Sequence, residues 1–230
     1  MTRKKAIDRY GGSLTPQQVA DGMNAAMKNA KRLVDDAKLL LRSQRYPSAC
    51  SLAILAIEEG GKLSALRTIA GASGRRLKDA WRGYRDHQTK NAAWIIGELA
   101  AKGARTLDDL KPIFDPDSDH PAVLDALKQI AFYTDCYGNG HWSQPDAVID
   151  QGLTETLVRT AEAICSSGTT TTAREIELWI QHVGRVWGTP QMRAGLLAFY
   201  SAMEIEGLTK HARERLEEFL GERLPGPRAH

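Results

Sequence analysis

The chain has 230 residues, of which 42% are hydrophobic and 26% charged. This composition argues against disorder and supplies enough apolar residues for a core. Its 31 basic and 28 acidic residues give a net charge of +3, which is too balanced to indicate a nucleic-acid partner by itself but leaves room for a local basic patch.

Targeting signals and cysteine pairs are also missing from the sequence. No apolar run approaches the roughly 18 residues that a membrane span needs, and the basic N-terminus is not followed by the apolar segment of a secretion signal. The three cysteines, at positions 50, 136 and 165, have no CxxC spacing, so neither a zinc knuckle nor a disulfide framework is expected. These features predict a cytoplasmic protein without a membrane partner.

Residues 1–14 are predicted to form a flexible arm, and the first helix is predicted to begin at Thr15 and to end near Arg45. Thr15 and Gln18 have the spacing of a capping box, and Pro16 suits the first helical position. Apolar residues then recur every three or four positions, which is typical of a long amphipathic helix in a bundle. They are Val19, Met23, Ala26, Ala30, Val34, Ala37 and Leu41.

A second helix is predicted from about Pro47 to Ile69, with Gly71 ending it. Its segment 49–57 is apolar almost all round, which is typical of a central helix covered on several sides. Further helices are predicted at about 77–102, 121–138, 154–165, 173–187, 190–206 and 210–220, with polar or proline-rich connectors at 103–121 and 166–172. No strand alternation is found, so the predicted fold is all-α: a four- or five-helix bundle with a small helical C-terminal part.

The central helix carries Glu58, Glu59 and Lys62 within its apolar run, and Lys62 has the spacing to pair with either glutamate. Charges near a core are costly unless they are paired, so the three residues are either a buried ion pair that fixes the helix register or part of a site. Gly60 and Gly61 favour a site slightly. Each mid-helix glycine costs about 1 kcal/mol relative to alanine, and either a close helix contact or a ligand would benefit from the missing side chains.

The third predicted helix places His87, Lys90 and Trp94 on one face. They are either a solvated polar patch beside a buried tryptophan or a cationic cluster for a phosphate.

The fourth predicted helix carries Lys128, Tyr133 and Asp135, and a glycine-rich loop with His141 and Trp142 follows. Tyr133 is either a core residue with a hydrated hydroxyl or a functional group, and the loop is equally open to a structural or a functional role.

Established catalytic motifs are absent. The sequence lacks GxxxxGK[ST], HExxH and GxSxG, so nothing indicates a P-loop NTPase, a zincin or an α/β-hydrolase. Its six histidines show no metal spacing on one helix, and no metal or cofactor is expected.

Three segments are informative together: SACSLAILAIEEGGKL at 48–63, YRDHQTK at 84–90 and LKQIAFYTDCYGNGHWSQP at 127–145. Their order and spacing resemble the AbiV family of abortive infection proteins, a branch of the HEPN superfamily. The resemblance covers roughly residues 15–165. The first segment is shared by many HEPN branches, and the last points to this branch.

The resemblance implies a HEPN-like antiparallel helical bundle at 15–167. The helical patterns beyond it predict additional C-terminal helices at 168–224 and a tail at 225–230. The resemblance also implies a homodimer with a role in defence against phage. Many HEPN domains are metal-independent ribonucleases whose usual motif is Arg, four to six residues, then His. This chain instead has Lys128, four residues and Tyr133. A lysine can hold a phosphate, but a tyrosine is a much poorer base than a histidine at neutral pH.

Two functions fit these features. The first is a metal-independent ribonuclease or RNA-targeting effector that shuts down the infected cell, with His87, Lys128 and Tyr133 as catalytic candidates. The substrate-binding candidates are Glu58, Glu59, Lys62, Lys90, Asp135, His141 and Trp142. The second is a non-catalytic dimeric module that binds a phage protein or a nucleotide and signals through a partner; a helical scaffold without a phage role is a third possibility. The expected partners are a second copy of the chain, RNA and a phage-encoded activator protein.

Overall fold

The structure, a computed structural model, describes residues 9–95, 98–99, 102–115, 117–166, 170–209 and 213–221. It is all-α, as predicted, apart from one small two-stranded ribbon. The helices are α1 (Pro16–Arg42), α2 (Tyr46–Ala70), α3 (Gly74–Arg85), α4 (His87–Asn91), α5 (His120–Phe132), α6 (Pro145–Val148), α7 (Gln151–Cys165), α8 (Ala173–His182), α9 (Met192–Ile205) and α10 (Arg213–Leu220). Two 3₁₀ helices, Ala92–Ile95 and Asp108–Phe114, and the strands β1 (Cys136–Tyr137) and β2 (His141–Trp142) complete the description.

The start of α1 confirms the predicted capping box. The Thr15 hydroxyl accepts the Gln18 backbone N–H at 3.2 Å, and the Gln18 side chain accepts the Thr15 N–H at 2.9 Å. The helix ends at Arg42, three residues before the predicted end, because Gln44 takes a left-handed conformation with a φ of 56°.

Helix α2 is the central helix of the bundle, as its apolar sequence predicted. It packs against α1, α4, α5 and α7, and Ala53, Ile54 and Ile57 are fully buried. The largest hydrophobic cluster joins apolar side chains of α1, α2, α5 and α7. Any charged side chain on this helix therefore lies close to the core.

The prediction of one continuous helix at 77–102 is wrong. Helix α3 ends at Arg85, Asp86 is extended with φ and ψ of −78° and 128°, and the short helix α4 follows. The break reorients the chain so that the Lys90 carbonyl packs directly on Gly61 of α2. Residues 96, 97, 100 and 101 of the predicted helix lie outside the described residues.

The predicted helix at 121–138 is too long, because α5 ends at Phe132 and a two-stranded ribbon follows it. Cys136 pairs with Trp142 and Tyr137 with His141. Gly138 and Gly140, with φ values of 54° and 92°, make the turn between the two strands. Strands of two residues are too short to show alternation in a sequence.

The C-terminal helices begin with a confirmed cap, in which the Thr172 side chain accepts the Glu175 N–H. Helix α8 ends at His182, five residues before the predicted end, and α9 begins at Met192. Ile176 of α8 is fully buried in a cluster with residues of α1, α2 and α3. The predicted tail at 225–230, residues 1–8 of the predicted arm and the predicted helix start at 210 lie outside the described residues.

Among the described residues, no helix is both long enough and apolar enough to cross a membrane.

Candidate functional site

Four charged or titratable side chains meet where α2, α4 and α5 pack together. They are Glu58, His87, Asp125 and Lys128, and we call them the charged cluster. Glu58 Oε1 lies 2.6 Å from Lys128 Nζ, and Glu58 Oε2 lies 2.8 Å from His87 Nδ1. Lys128 Nζ also lies 2.7 Å from Asp125 Oδ1. The fold thus brings together Glu58 and Lys128, which are 70 positions apart in the chain.

The contact between Glu58 and Lys128 is a buried ion pair. Their side chains are only 5% and 7% exposed. Burial alone would lower the pKa of Lys128, but its interactions with the Asp125 and Glu58 carboxylates outweigh this effect and raise the pKa above the ordinary lysine value. Lys128 is therefore a fixed positive charge that holds two carboxylates in place.

His87 is the accessible member of the charged cluster, with its side chain 55% exposed. An ionised carboxylate only accepts hydrogen bonds, so in this contact His87 Nδ1 donates to Glu58 and Nε2 is left for a second partner. Among the described residues, only Glu58 forms a hydrogen bond with the His87 ring. A carboxylate that orients a histidine in this way is the arrangement that prepares an imidazole for general base catalysis.

Glu58, Glu59 and Lys62 of the central helix belong to two separate groups of ion pairs. Glu59 pairs with Lys62 at 2.5 Å, whereas Glu58 pairs with Lys128 and His87. Lys62 Nζ also lies 5.9 Å from the centre of the Tyr84 ring. The sequence left the partner of Lys62 open, and the structure assigns it to Glu59.

Lys90 and Asn91 of α4 are buried beside the charged cluster. Burial lowers the pKa of Lys90, an effect that Glu58 partly opposes and Lys62 reinforces. Lys90 is 7% exposed and is therefore not part of a solvated patch. Asn91 is fully buried, and neither polar atom of its side chain has a partner among the described residues.

Gly60 and Gly61 serve close helix contacts, one of the two explanations that the sequence allowed. A Cβ on Gly60 would meet the side chain of Ile164 in α7, and a Cβ on Gly61 would collide with the Lys90 carbonyl. The second contact sets the position of α4, and with it that of His87.

The remaining sequence candidates lie in the ribbon region: Tyr133, Asp135, His141 and Trp142. Tyr133 is 61% exposed and Trp142 is 71% exposed. No hydrogen bond or ion pair within the described part of the chain connects these four residues to the charged cluster. Asp135 instead closes the ribbon, since its backbone N–H donates to the Ser143 hydroxyl at 3.0 Å.

Glu58, His87 and Asp125 each offer an atom that could bind a metal ion, and these atoms lie within 4.8 Å of one another. The ammonium of Lys128 already contacts both carboxylates, so a divalent cation would have to displace it. Asp125 was missed in the sequence, although its position three residues before Lys128 is the signal that identifies a helical ion pair.

Comparison with known families identifies the chain. The AbiV family model of the HEPN group matches residues 18–166, a segment that contains the whole charged cluster. Neither the comparison with curated proteins nor that with solved structures finds a match. Because the family model covers more than half of the 230 residues, this chain belongs to the AbiV family of HEPN proteins.

Proposed function

We propose that this protein is a cytoplasmic antiphage effector that cleaves RNA without a metal ion. The observation that carries the proposal is the 2.8 Å contact between the buried Glu58 carboxylate and Nδ1 of the half-exposed His87. In this proposal His87 is the general base, Glu58 is a positioning residue and Lys128 holds Glu58.

The chemistry requires one base, one acid and stabilisation of a phosphate. His87 Nε2 takes the proton of the substrate's 2′-hydroxyl, whose oxygen attacks the neighbouring phosphorus. The bond to the 5′-oxygen breaks, and the protonated His87 gives its proton back, through the solvent, to this leaving oxygen, so the net proton transfer is from the 2′-oxygen to the 5′-oxygen. The products are a 2′,3′-cyclic phosphate and a 5′-hydroxyl, so no water or metal ion enters the balance.

The charges around His87 are compatible with a phosphate. Three lysines lie in this region, at positions 62, 90 and 128, together with three carboxylates, at 58, 59 and 125. Their formal charges cancel. A protonated His87 would then make the site positive, which favours the charge that develops on the phosphate. The exposed Tyr133 supports the assignment to His87, because the tyrosine is not held by the charged cluster.

The test is cleavage of single-stranded RNA by the purified protein in EDTA. His87→Ala is expected to lower the rate at least about 100-fold, the usual contribution of a general base. His182→Ala, a histidine outside the charged cluster, is the matched control and is expected to leave the rate unchanged. Glu58→Gln is expected to retain part of the rate and to shift the pH profile. Intact RNA after incubation with the wild-type protein, both alone and with phage lysate, would refute the proposal.

The alternative is a dimeric module that acts through a phage protein without catalysis. Large exposed aromatic side chains in and beside the ribbon favour this alternative, because they are unusual on a monomer surface. They are Phe132, Tyr133, Tyr137 and Trp142, with exposures of 43%, 61%, 45% and 71%.

Size-exclusion chromatography with light scattering tests this alternative. Trp142→Ser is expected to convert a dimer into a monomer. Ile205→Ser, a matched change at a residue that is 86% exposed elsewhere, is expected to leave the dimer intact. A wild-type protein that is monomeric both alone and with phage lysate would refute the alternative.

A further inference from the structure

A second concave site lies between α2, α3 and the C-terminal segment that begins with α8. It is a cavity of about 440 Å³, which falls within the range of small-molecule sites. Trp179 of α8 and Trp187, in the turn after α8, form one side of it. Both tryptophans lie beyond the segment 18–166 that matches the AbiV family. The cavity shares no residue with the charged cluster, and we call it the aromatic cavity.

The walls of the aromatic cavity present flat rings. Trp179, Trp187 and Tyr84 line it. The two indoles lie 5.3 Å apart between ring centres, and the Trp179 N–H donates to the Arg67 carbonyl at 3.2 Å, which fixes the orientation of that ring. Tyr84 and Trp187 are only partly buried, so part of each ring is accessible to a flat ligand in the cavity.

Two arginines give the aromatic cavity a positive edge. Arg67 lies over the Trp179 ring at 5.3 Å and pairs with Glu175 at 2.7 Å. Its Nε is buried without a hydrogen-bond partner in the described part of the chain. Arg76 is exposed in the first turn of α3, and that turn contains no acidic residue. Both the guanidinium and the helix dipole therefore attract an anion to this position.

The acidic residue in the lining does not cancel this charge. Asp79 is paired with Arg82 at 3.0 Å. An anion at Arg76 would thus meet an arginine without an ion pair among the described residues, while the flat rings lie next to it. The lining combines an aromatic surface with a cation, and this combination selects ligands that have both a ring and a negative group.

We propose that the aromatic cavity binds a small anion that carries a flat aromatic ring, such as a free nucleotide. The ring stacks between Tyr84 and the tryptophans, and the anionic group binds Arg76. The proposal is independent of RNA cleavage, since none of these residues belongs to the charged cluster. It gives the C-terminal helices a role in ligand binding.

Isothermal titration calorimetry of the full chain tests the proposal, with ATP, GTP and flavin mononucleotide as separate probes. Adenosine and ribose 5-phosphate, which each carry half of the recognised chemistry, are expected to bind at least about tenfold more weakly than the best probe. The same binding is expected in His87→Ala, so the outcome for RNA cleavage does not affect this test.

Two variants locate the binding. Arg76→Glu and Trp187→Leu are each expected to weaken the best probe at least about tenfold. Lys78→Glu is the matched control, because it makes the same charge change at an exposed position of α3 that does not line the cavity, and it is expected to change the affinity less than about twofold. Absence of binding by all three probes at about 1 mM would overturn the proposal. So would an unchanged affinity in either cavity variant, or binding of an RNA oligomer when no free probe binds.

Discussion

Replacing Glu58 with glutamine tests whether the charged cluster holds the bundle together. Glutamine keeps the shape of the side chain but removes the negative charge that faces Lys128 Nζ at 2.6 Å. Removing one partner of a buried ion pair costs about 3–5 kcal/mol. Because Lys128 keeps its contact with Asp125 at 2.7 Å, we expect a loss of about 2–3 kcal/mol in the free energy of unfolding. For a chain of this size, that loss lowers the melting temperature by about 5–10 °C.

Urea denaturation followed by circular dichroism measures this loss. Glu59→Gln is the matched control on the same helix, and its partly exposed pair with Lys62 predicts a loss below about 1 kcal/mol. The double variant Glu58→Gln/Lys128→Met also removes the Lys128 charge, which has lost the Glu58 carboxylate. It is expected to recover at least part of the free energy of unfolding lost in Glu58→Gln. Equal losses in Glu58→Gln and Glu59→Gln would refute the view that Glu58 is the critical charge.

Three other predictions concern packing, charge and thiol reactivity. Gly61→Ala is expected to destabilise the protein by more than about 1 kcal/mol, although alanine is the better helix former, because its Cβ would collide with the Lys90 carbonyl. Gly22→Ala meets only ordinary contacts and should be neutral or stabilising, and equal urea midpoints for the two variants would contradict the close contact. Lys90→Met is expected to raise the urea midpoint at neutral pH, because burial lowers the pKa of Lys90 and so disfavours its charged form in the folded protein. This gain should shrink as the pH rises towards 10.5, since the folded wild-type protein loses the proton before the unfolded chain does; a gain that grows with pH would oppose this reasoning. Iodoacetamide is expected to modify only the exposed Cys136 in the folded protein, because burial raises the pKa of the other two thiols to about 11, and a second adduct in the mass spectrum without denaturant would show otherwise.

The sequence predicted elements whose signals are local. The capping box at Thr15 and the apolar segment 49–57 depend on neighbouring residues, and the structure confirms both. The break at Asp86 could not be predicted from neighbouring residues. The residues around it are compatible with a helix, and the break accompanies a contact between distant segments, that of the Lys90 carbonyl with Gly61.

The site was predictable only in part. The charges on α2 stood out because they interrupt an apolar run, but the sequence could not place His87 and Lys128 on the two oxygens of Glu58, since their segments are separated by whole helices. Tyr133 entered the candidate set because, on the predicted helix, it stands where the usual HEPN motif has its histidine. It leaves the helix instead, because α5 ends one residue before it and its backbone is extended. The roles proposed for these side chains await the RNA cleavage test.

The burial of Ile176 has a practical consequence for shortened forms of the protein. This residue lies beyond the segment 18–166 that matches the family model, yet it is fully buried in one cluster with Val19 and Leu66. A chain that stopped at 166 would expose a hydrophobic surface on α1 and α2, and such surfaces promote aggregation. A minimal soluble fragment therefore has to extend through His182.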